Sequence, residues 1–385
     1  MKIGVPKEIL PGETRVAASP DSVKKFTALN VEMLVESGAG EAASISDDML
    51  REAGARIVAD AASLYGEADM VFKVGAPCRN GSGAVDELAM MKPDAVLIGL
   101  LNPLSDREQA EAYAKHGLTS FAMELIPRIS RAQSMDALSS QSNITGYKAV
   151  IDAAEQFGRI LPMMMTAAGT IVPARVVVMG AGVAGLQAIA TAHRLGAIVS
   201  AFDVRPAVKE QVESLGATFI EVENTESESA ETAAGYAREM GADYQKRQAE
   251  VIHETLKKQD ICITTALIPG KPAPLLISDA MVRDMRTGSV IVDLATETGG
   301  NCESSERNAV VVKHGVTIIG HTNYPARVPG DTSTLYARNL YNFISPMIDG
   351  ESGSLEIDWE DEVIKGSLLT RGGSVVNAAL TKSEG

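Results

Sequence analysis

One stretch limits the fold of this chain more than any other: Arg175-Val-Val-Val-Met-Gly-Ala-Gly-Val-Ala-Gly185-Leu-Gln, running on to Ala201-Phe-Asp203. A β-branched run ends at three glycines spaced G-x-G-x-x-G. A helical pattern follows, and a second apolar run closes on one carboxylate. Gly180 permits a tight turn out of the strand, Gly182 lacks a Cβ where a backbone must approach a pyrophosphate, and Gly185 lets a helix lie close on a sheet. The helix N-terminus at Val183 offers unpaired N–H groups to phosphates. Val176 to Met179 and Ile198 to Phe202 read as buried parallel strands, and Val183 to Leu195 as the helix between them, stopped by Gly196. A plain βαβ unit with a glycine turn explains the glycines but not Asp203, which stands roughly 20 residues on, where a ribose-binding acid is expected. That carboxylate accepts from a ribose 2′-hydroxyl and repels a 2′-phosphate, favouring NAD(H) over NADP(H); nearby Arg205 weakens the preference slightly.

With 385 residues the chain exceeds a single core, so two domains are expected. A net charge of −15 argues against a nucleic-acid surface. Cys78, Cys262 and Cys302 are far apart and the five histidines scattered, so neither a disulfide framework nor a metal site emerges. The uncharged stretch from Ile160 to Ala174 is broken by Pro162, Pro173 and glycines into pieces too short to span a bilayer, and no signal peptide is visible. These features predict a soluble, cytosolic chain.

The first third alternates strand-like runs (Lys2 to Val5, Glu32 to Val35, Met70 to Val74, Ala95 to Leu100, Leu118 to Ala122) with helical ones, including a Ser19-Pro20 start. Apolar residues from Asn143 to Phe157 recur at helical spacing and predict a long joining helix. Strands at 261–265, 290–294 and 316–319 and helices at 243–258 and 333–344 complete the pattern. The tail from Leu355 to Val376 reads as a hairpin extension. The expected fold is α/β: two doubly wound, parallel-sheet, Rossmann-like domains with a cleft between them. Residues 1–140 plus about 330–385 form the first, and residues 141–329 the dinucleotide-binding second.

Two further segments draw notice. Glu223 to Ala237 is acidic and poor in core-forming residues; with Gly235-Tyr236 it reads either as a solvated loop or as a lid over the cofactor. Glu124 to Asn143 gathers Arg128, Arg131, Gln133, Asp136 and Ser139. A guanidinium pairs with phosphate, and amide, carboxylate and hydroxyl groups hold ribose or carboxamide. The alternative is that Ser134, Asp136 and Ser139 cap a helix while the arginines face water.

The run Met123-Glu-Leu-Ile-Pro-Arg-Ile-Ser-Arg-Ala-Gln-Ser-Met-Asp136 closely resembles the NAD(H)-binding domain of proton-translocating transhydrogenases. So do Pro162-Met-Met-Met-Thr-Ala-Ala-Gly-Thr, Gly182-Val-Ala-Gly-Leu-Gln-Ala, Thr264-Thr-Ala-Leu-Ile-Pro-Gly-Lys-Pro-Ala-Pro and His321-Thr-Asn, covering essentially the whole chain. The resemblance implies that Arg128, Gln133, Asp136 and Ser139 line the NAD(H) site, with Gln133 and Asp136 nearest the chemistry. It further implies Val183 at the pyrophosphate turn, Asp203, Val204 and Arg205 around the adenosine ribose, Gly235 and Tyr236 on a mobile loop, and Leu267 in the cofactor crevice. It implies an enzyme subunit that passes hydride between NAD(H) here and NADP(H) on a partner domain, coupled to proton movement in a separate membrane subunit. The expected state is a homodimer, cytoplasmic and peripheral at the inner membrane face through its partners. The end at Gly385 resembles the form in which this domain is a separate α subunit.

Hydride transfer between nicotinamides needs no general acid or base, only approach of the reacting carbons to about 3–3.5 Å. The chief rival resembles alanine dehydrogenase, with Arg15 and Lys73 where that family holds a substrate carboxylate. Against it, no histidine occurs in Val96-Leu-Ile-Gly-Leu-Leu101, and Glu297 stands where a catalytic aspartate is expected. A catalytically silent NAD-binding protein is the third reading.

Overall fold

The computed structural model describes residues 1–79, 85–222, 241–268 and 270–381. The chain divides into two compact units, Met1–Gln141 with Pro325–Gly385, and Ser142–Tyr324.

The first unit is built on an eight-stranded sheet. Six parallel strands lie in the order Thr119–Ala122, Val96–Gly99, Met70–Phe72, Lys2–Val5, Glu32–Glu36 and Arg56–Val58. Their apolar residues alternate between two covered faces, as side chains of period two require. Met33, Val35, Met70, Phe72, Val96 and Ile98 pack on one side with Phe26, Tyr336, Leu340 and Phe343. Leu34, Val71 and Leu97 pack on the other with Leu64, Tyr65 and Tyr113. Helix Pro20–Thr27 starts as its sequence predicts: Ser19 Oγ accepts the Ser22 N–H at 3.2 Å, the Ser22 hydroxyl accepts the Ser19 N–H at 2.9 Å, and Pro20 stands first. Helix Pro329–Ile344 supplies Tyr336, Leu340 and Phe343 to the first face.

The predicted tail hairpin exists, but it is not an extension. Leu368–Arg371 pairs antiparallel with Thr119–Ala122, and Ser374–Val375 closes the edge, the turn made by Gly372 and Gly373 at positive φ. The first sheet is therefore mixed at one edge. The second is too: Val310–Lys313 runs antiparallel to Val316–Ile319.

In the second unit the order is Thr218–Ile220, Ile198–Phe202, Arg175–Met179, Ile261–Thr264, Val290–Asp293, Val316–Ile319 and Val310–Lys313. The central strands are buried along almost their whole length, which is why they read as continuous apolar runs. The uncharged stretch forms a small hairpin, Met164–Thr166 with Gly169–Ile171, whose neighbours Met163 and Val172 are exposed along with Met164 and Met165. Among the described residues no helix is long and apolar enough to cross a membrane.

Candidate functional site

In the second unit, strand order reverses between Arg175–Met179 and Ile261–Thr264, both flanked by parallel neighbours. Such a switch leaves a crevice at the carboxyl ends of the strands. The three glycines stand there, each for a different reason. Gly180 has φ +103°, and its N–H donates to the Phe202 carbonyl at 2.8 Å. A Cβ on Gly185 would lie 1.8 Å from the Gly180 carbonyl oxygen, so helix and turn touch only because it is absent. A Cβ on Gly182 would meet no protein atom within 4 Å. Neither backbone nor packing demands glycine at 182, whereas a bound pyrophosphate would.

Helix Val183–Arg194 begins at Gly182, which has no side chain to cap its first N–H groups, and half-exposed Val183 opens the first turn. The joining helix, Ala137–Gln156, runs close to this turn: a Cβ on Gly146 would lie 2.0 Å from the Ala184 carbonyl oxygen. Asp203 follows the neighbouring strand and is buried. Its Oδ2 accepts the Ala181 N–H at 2.7 Å, tying the acid into the glycine turn. Its Oδ1 accepts the Arg205 N–H at 2.8 Å and Nε–H at 2.9 Å, and Arg205 Nη2 donates to Oδ2 at 2.8 Å. Half-buried Val204 packs against the core that holds Phe202. Burial and the Asp203 carboxylate both push the Tyr244 phenol above its ordinary range.

Beyond the switch, Thr265 N–H donates to the Met179 carbonyl at 2.8 Å, and Leu267 is exposed. This loop is clamped by a residue that sequence reasoning missed. Fully buried Asn301 accepts the Ala266 N–H at 3.1 Å and donates to the carbonyls of Ala266 at 2.9 Å and Pro274 at 2.8 Å. Asp293, also fully buried, holds Asn301 in turn, accepting the N–H groups of Ala295, Asn301 and Cys302 and the Ser305 hydroxyl. The only sequence signal was a carboxylate closing an apolar strand, the pattern already noticed at Asp203. Gly235 and Tyr236 lie outside the described residues. A shallow groove lined by Arg175, Glu250, Glu254 and Lys258 opens at the amino ends of the strands, away from the glycine turn.

In the first unit, Arg128 and Gln133 are exposed, Gln133 within the turn Ser130–Met135. Arg131 turns away from any phosphate role: its Nη2 pairs with Asp361 at 2.9 Å, the N-cap of helix Glu362–Ser367, and its Nε lies 3.6 Å from Glu362. Asp136 accepts the Ser139 N–H at 2.9 Å and the Ser139 hydroxyl at 2.5 Å, so these two residues make the start of the joining helix.

Lys73 is completely buried at the end of strand Met70–Phe72. Its ammonium lies 2.6 Å from Glu87 Oε1 and 3.2 Å from Glu8 Oε2, and the Tyr65 hydroxyl donates to Glu87 at 2.6 Å. Burial pulls Lys73 down, but the two carboxylates outweigh it and hold it above its usual range. Arg15 pairs with Glu13 at 2.6 Å and donates to Gln141 at 2.9 Å, with 7% of its side chain exposed. The suggested holders of a substrate carboxylate are thus bound to the chain's own acids. Val96 to Leu101 is apolar and mostly buried. Among the described residues no group of three or more His, Cys, Asp or Glu is placed to hold a metal ion.

Residues 4–145 match the family described as "Alanine dehydrogenase/PNT, N-terminal domain", and residues 149–378 its C-terminal domain. The chain is 57% identical over 381 residues to the first portion of the split "NAD(P) transhydrogenase subunit alpha" of Rhodospirillum rubrum, covering 99% of each. The chain belongs to the alanine dehydrogenase/PNT family, among its transhydrogenase alpha subunits. Solved structures agree with this placement within the family. The crystal structure of transhydrogenase from Sinorhizobium meliloti, 46% identical, superposes with a TM-score of 0.84 over 98% of this chain and 100% of that one. An L-alanine dehydrogenase, 26% identical, gives 0.79 over 99% and 98%. As a transhydrogenase alpha subunit the chain is an oxidoreductase component with the family's NAD-binding fold.

Proposed function

We propose that this chain binds NAD(H) at the carboxyl edge of its second sheet and passes hydride directly to NADP+ on a partner domain. In this reading a separate membrane subunit carries the proton, and the chain attaches to the cytoplasmic face of the membrane through it. The observation that carries the proposal is the closure of the fingerprint: Asp203 accepts the Ala181 N–H at 2.7 Å, inside the glycine turn, beside an uncapped helix N-terminus. The open space at Gly182 fits the same reading.

The nicotinamide supplies the redox chemistry, and this chain's residues bind and orient. The N–H groups around Gly182 and Val183 would hold the pyrophosphate, and Asp203 the adenosine ribose. Arg128, Gln133, Asp136 and Ser139 are proposed as further nucleotide contacts on the resemblance of Met123–Asp136 alone. NADH deuterated at the transferable position, mixed with this chain and an NADP(H)-binding partner, should yield deuterated NADPH without loss of label to water. NADPH formed with solvent hydrogen would overturn direct transfer.

A further inference from the structure

Resting on the NAD(H) reading of the second unit, we propose that Arg205 is a built-in competitor at the ribose site and a determinant of cofactor selectivity. Its guanidinium takes the two hydrogen-bond positions on Asp203 that the vicinal hydroxyls of the adenosine ribose require.

A carboxylate has about four lone-pair sites, and at Asp203 four N–H groups fill them. Two come from the backbone, Ala181 to Oδ2 and Arg205 to Oδ1, and belong to the fold of the turn. The other two come from the Arg205 fork, Nε to Oδ1 at 2.9 Å and Nη2 to Oδ2 at 2.8 Å. One side-chain bond therefore lies on each oxygen. A cis-diol also presents two donors that bridge a carboxylate, one to each oxygen. Exchanging fork for diol conserves the number of bonds and leaves the backbone pair to hold the acid in place. With Asp203 4% and Arg205 13% exposed, the guanidinium covers the acid, so the ribose cannot reach Asp203 while the fork stays.

Two consequences follow from this exchange. Binding must break a bidentate ion pair, so the observed NADH affinity is lower than Asp203 alone would give. The displaced guanidinium remains two residues from Asp203, where it can meet a 2′-phosphate that Asp203 repels. Arg205 thus weakens NADH binding and narrows the discrimination against NADPH.

Fluorescence titration of NADH and NADPH against the full chain and its Arg205→Ala and Arg205→Gln variants tests this. Both variants should bind NADH roughly three- to tenfold more tightly, as loss of a largely covered ion pair implies. NADPH should bind less tightly, so the selectivity ratio widens. Thermal unfolding of each variant checks that the fold is kept, and Arg205→Gln retains much of the stem should the alanine variant unfold. Weaker NADH binding by a folded variant, unchanged affinity, or parallel changes for both nucleotides would overturn the proposal. The unsubstituted chain separates the two claims: failure to bind NADH sinks the NAD(H) reading itself, whereas binding that the Arg205 variants leave unaltered sinks only the role of Arg205.

Discussion

Glu124 shows how one side chain can make stability depend on pH. Half-buried as a residue, it has a carboxyl enclosed beneath the loop that carries Arg128 and Gln133, and Oε2 has no hydrogen-bond partner. Burial pushes this acid up to about 7, against the pull of the backbone N–H groups of Glu124, Asn102 and Leu101. The folded chain therefore holds a proton that the unfolded chain releases near its ordinary value of 4.5. The contribution is complete below pH 4.5 and is lost as pH rises through about 7, because the buried group must then ionise. The difference between the two limits is roughly 3 kcal/mol. Chemical denaturation of the parent chain and Glu124→Gln from pH 5 to pH 8 should show the parent losing stability relative to the variant as pH rises. Parallel curves would place the Glu124 ionisation outside this range. None of this is legible in Met123-Glu-Leu-Ile-Pro, where the glutamate looks like any loop acid. The enclosure comes from Leu101 and Asn102, more than twenty positions away.

At the scale of elements, the fingerprint turn separates residues the fold needs from those a ligand needs. Gly185→Ala would drive a methyl into the Gly180 carbonyl, 1.8 Å away, so helix Val183–Arg194 would have to lift from its strand. That variant should lose several kcal/mol of stability, of the order seen for overpacked contacts, ~1–3 kcal/mol or more. Gly182→Ala meets no protein atom within 4 Å and stands at negative φ, so its melting temperature should hold while NADH affinity falls at least about tenfold. Calorimetry and titration of the pair decide the matter: a Gly182→Ala chain that binds normally would show that no ligand approaches that backbone. The same contrast explains what the sequence reveals. Long or continuous patterns, such as Val176 to Met179 or the Ser19-Pro20 helix start, depend on neighbours in sequence and can be read directly. Arg56–Val58 and Thr218–Ile220 are three-residue strands with no periodicity to detect. Ser130 to Asp136 displays its polar groups plainly, yet only the fold reveals that Arg131 is spent on Asp361, 230 positions later, and that Asp136 and Ser139 bond to each other. Asp203 and Arg205 are near neighbours in sequence, but their double hydrogen bond depends on the backbone bend between them.

For the molecule as a whole, two doubly wound units of one family can serve either an amino-acid dehydrogenase or a transhydrogenase. The distinction rests on protons. Reduction of a keto acid to an amine must deliver protons as well as hydride, which calls for a titrating group at the substrate and gives a bell-shaped rate profile. In this chain the residues suited to hold such a substrate are neutralised internally, Lys73 by Glu8 and Glu87 and Arg15 by Glu13, and the stretch Val96 to Leu101 has no histidine. Movement of hydride between two nicotinamides makes no such demand, because no proton leaves or joins the reacting carbons. Mixed with an NADP(H)-binding partner, the chain should therefore transfer hydride with a single-turnover rate that is nearly flat between pH 6 and pH 9, roughly the range over which a histidine-dependent step changes strongly. The rate should also be almost the same in heavy water. With pyruvate and ammonia in place of the partner, NADH oxidation should not exceed background. A bell-shaped profile centred near neutral pH, together with pyruvate-dependent oxidation, would place the chain with the dehydrogenases and require Lys73 or Arg15 to leave its acidic partner during turnover.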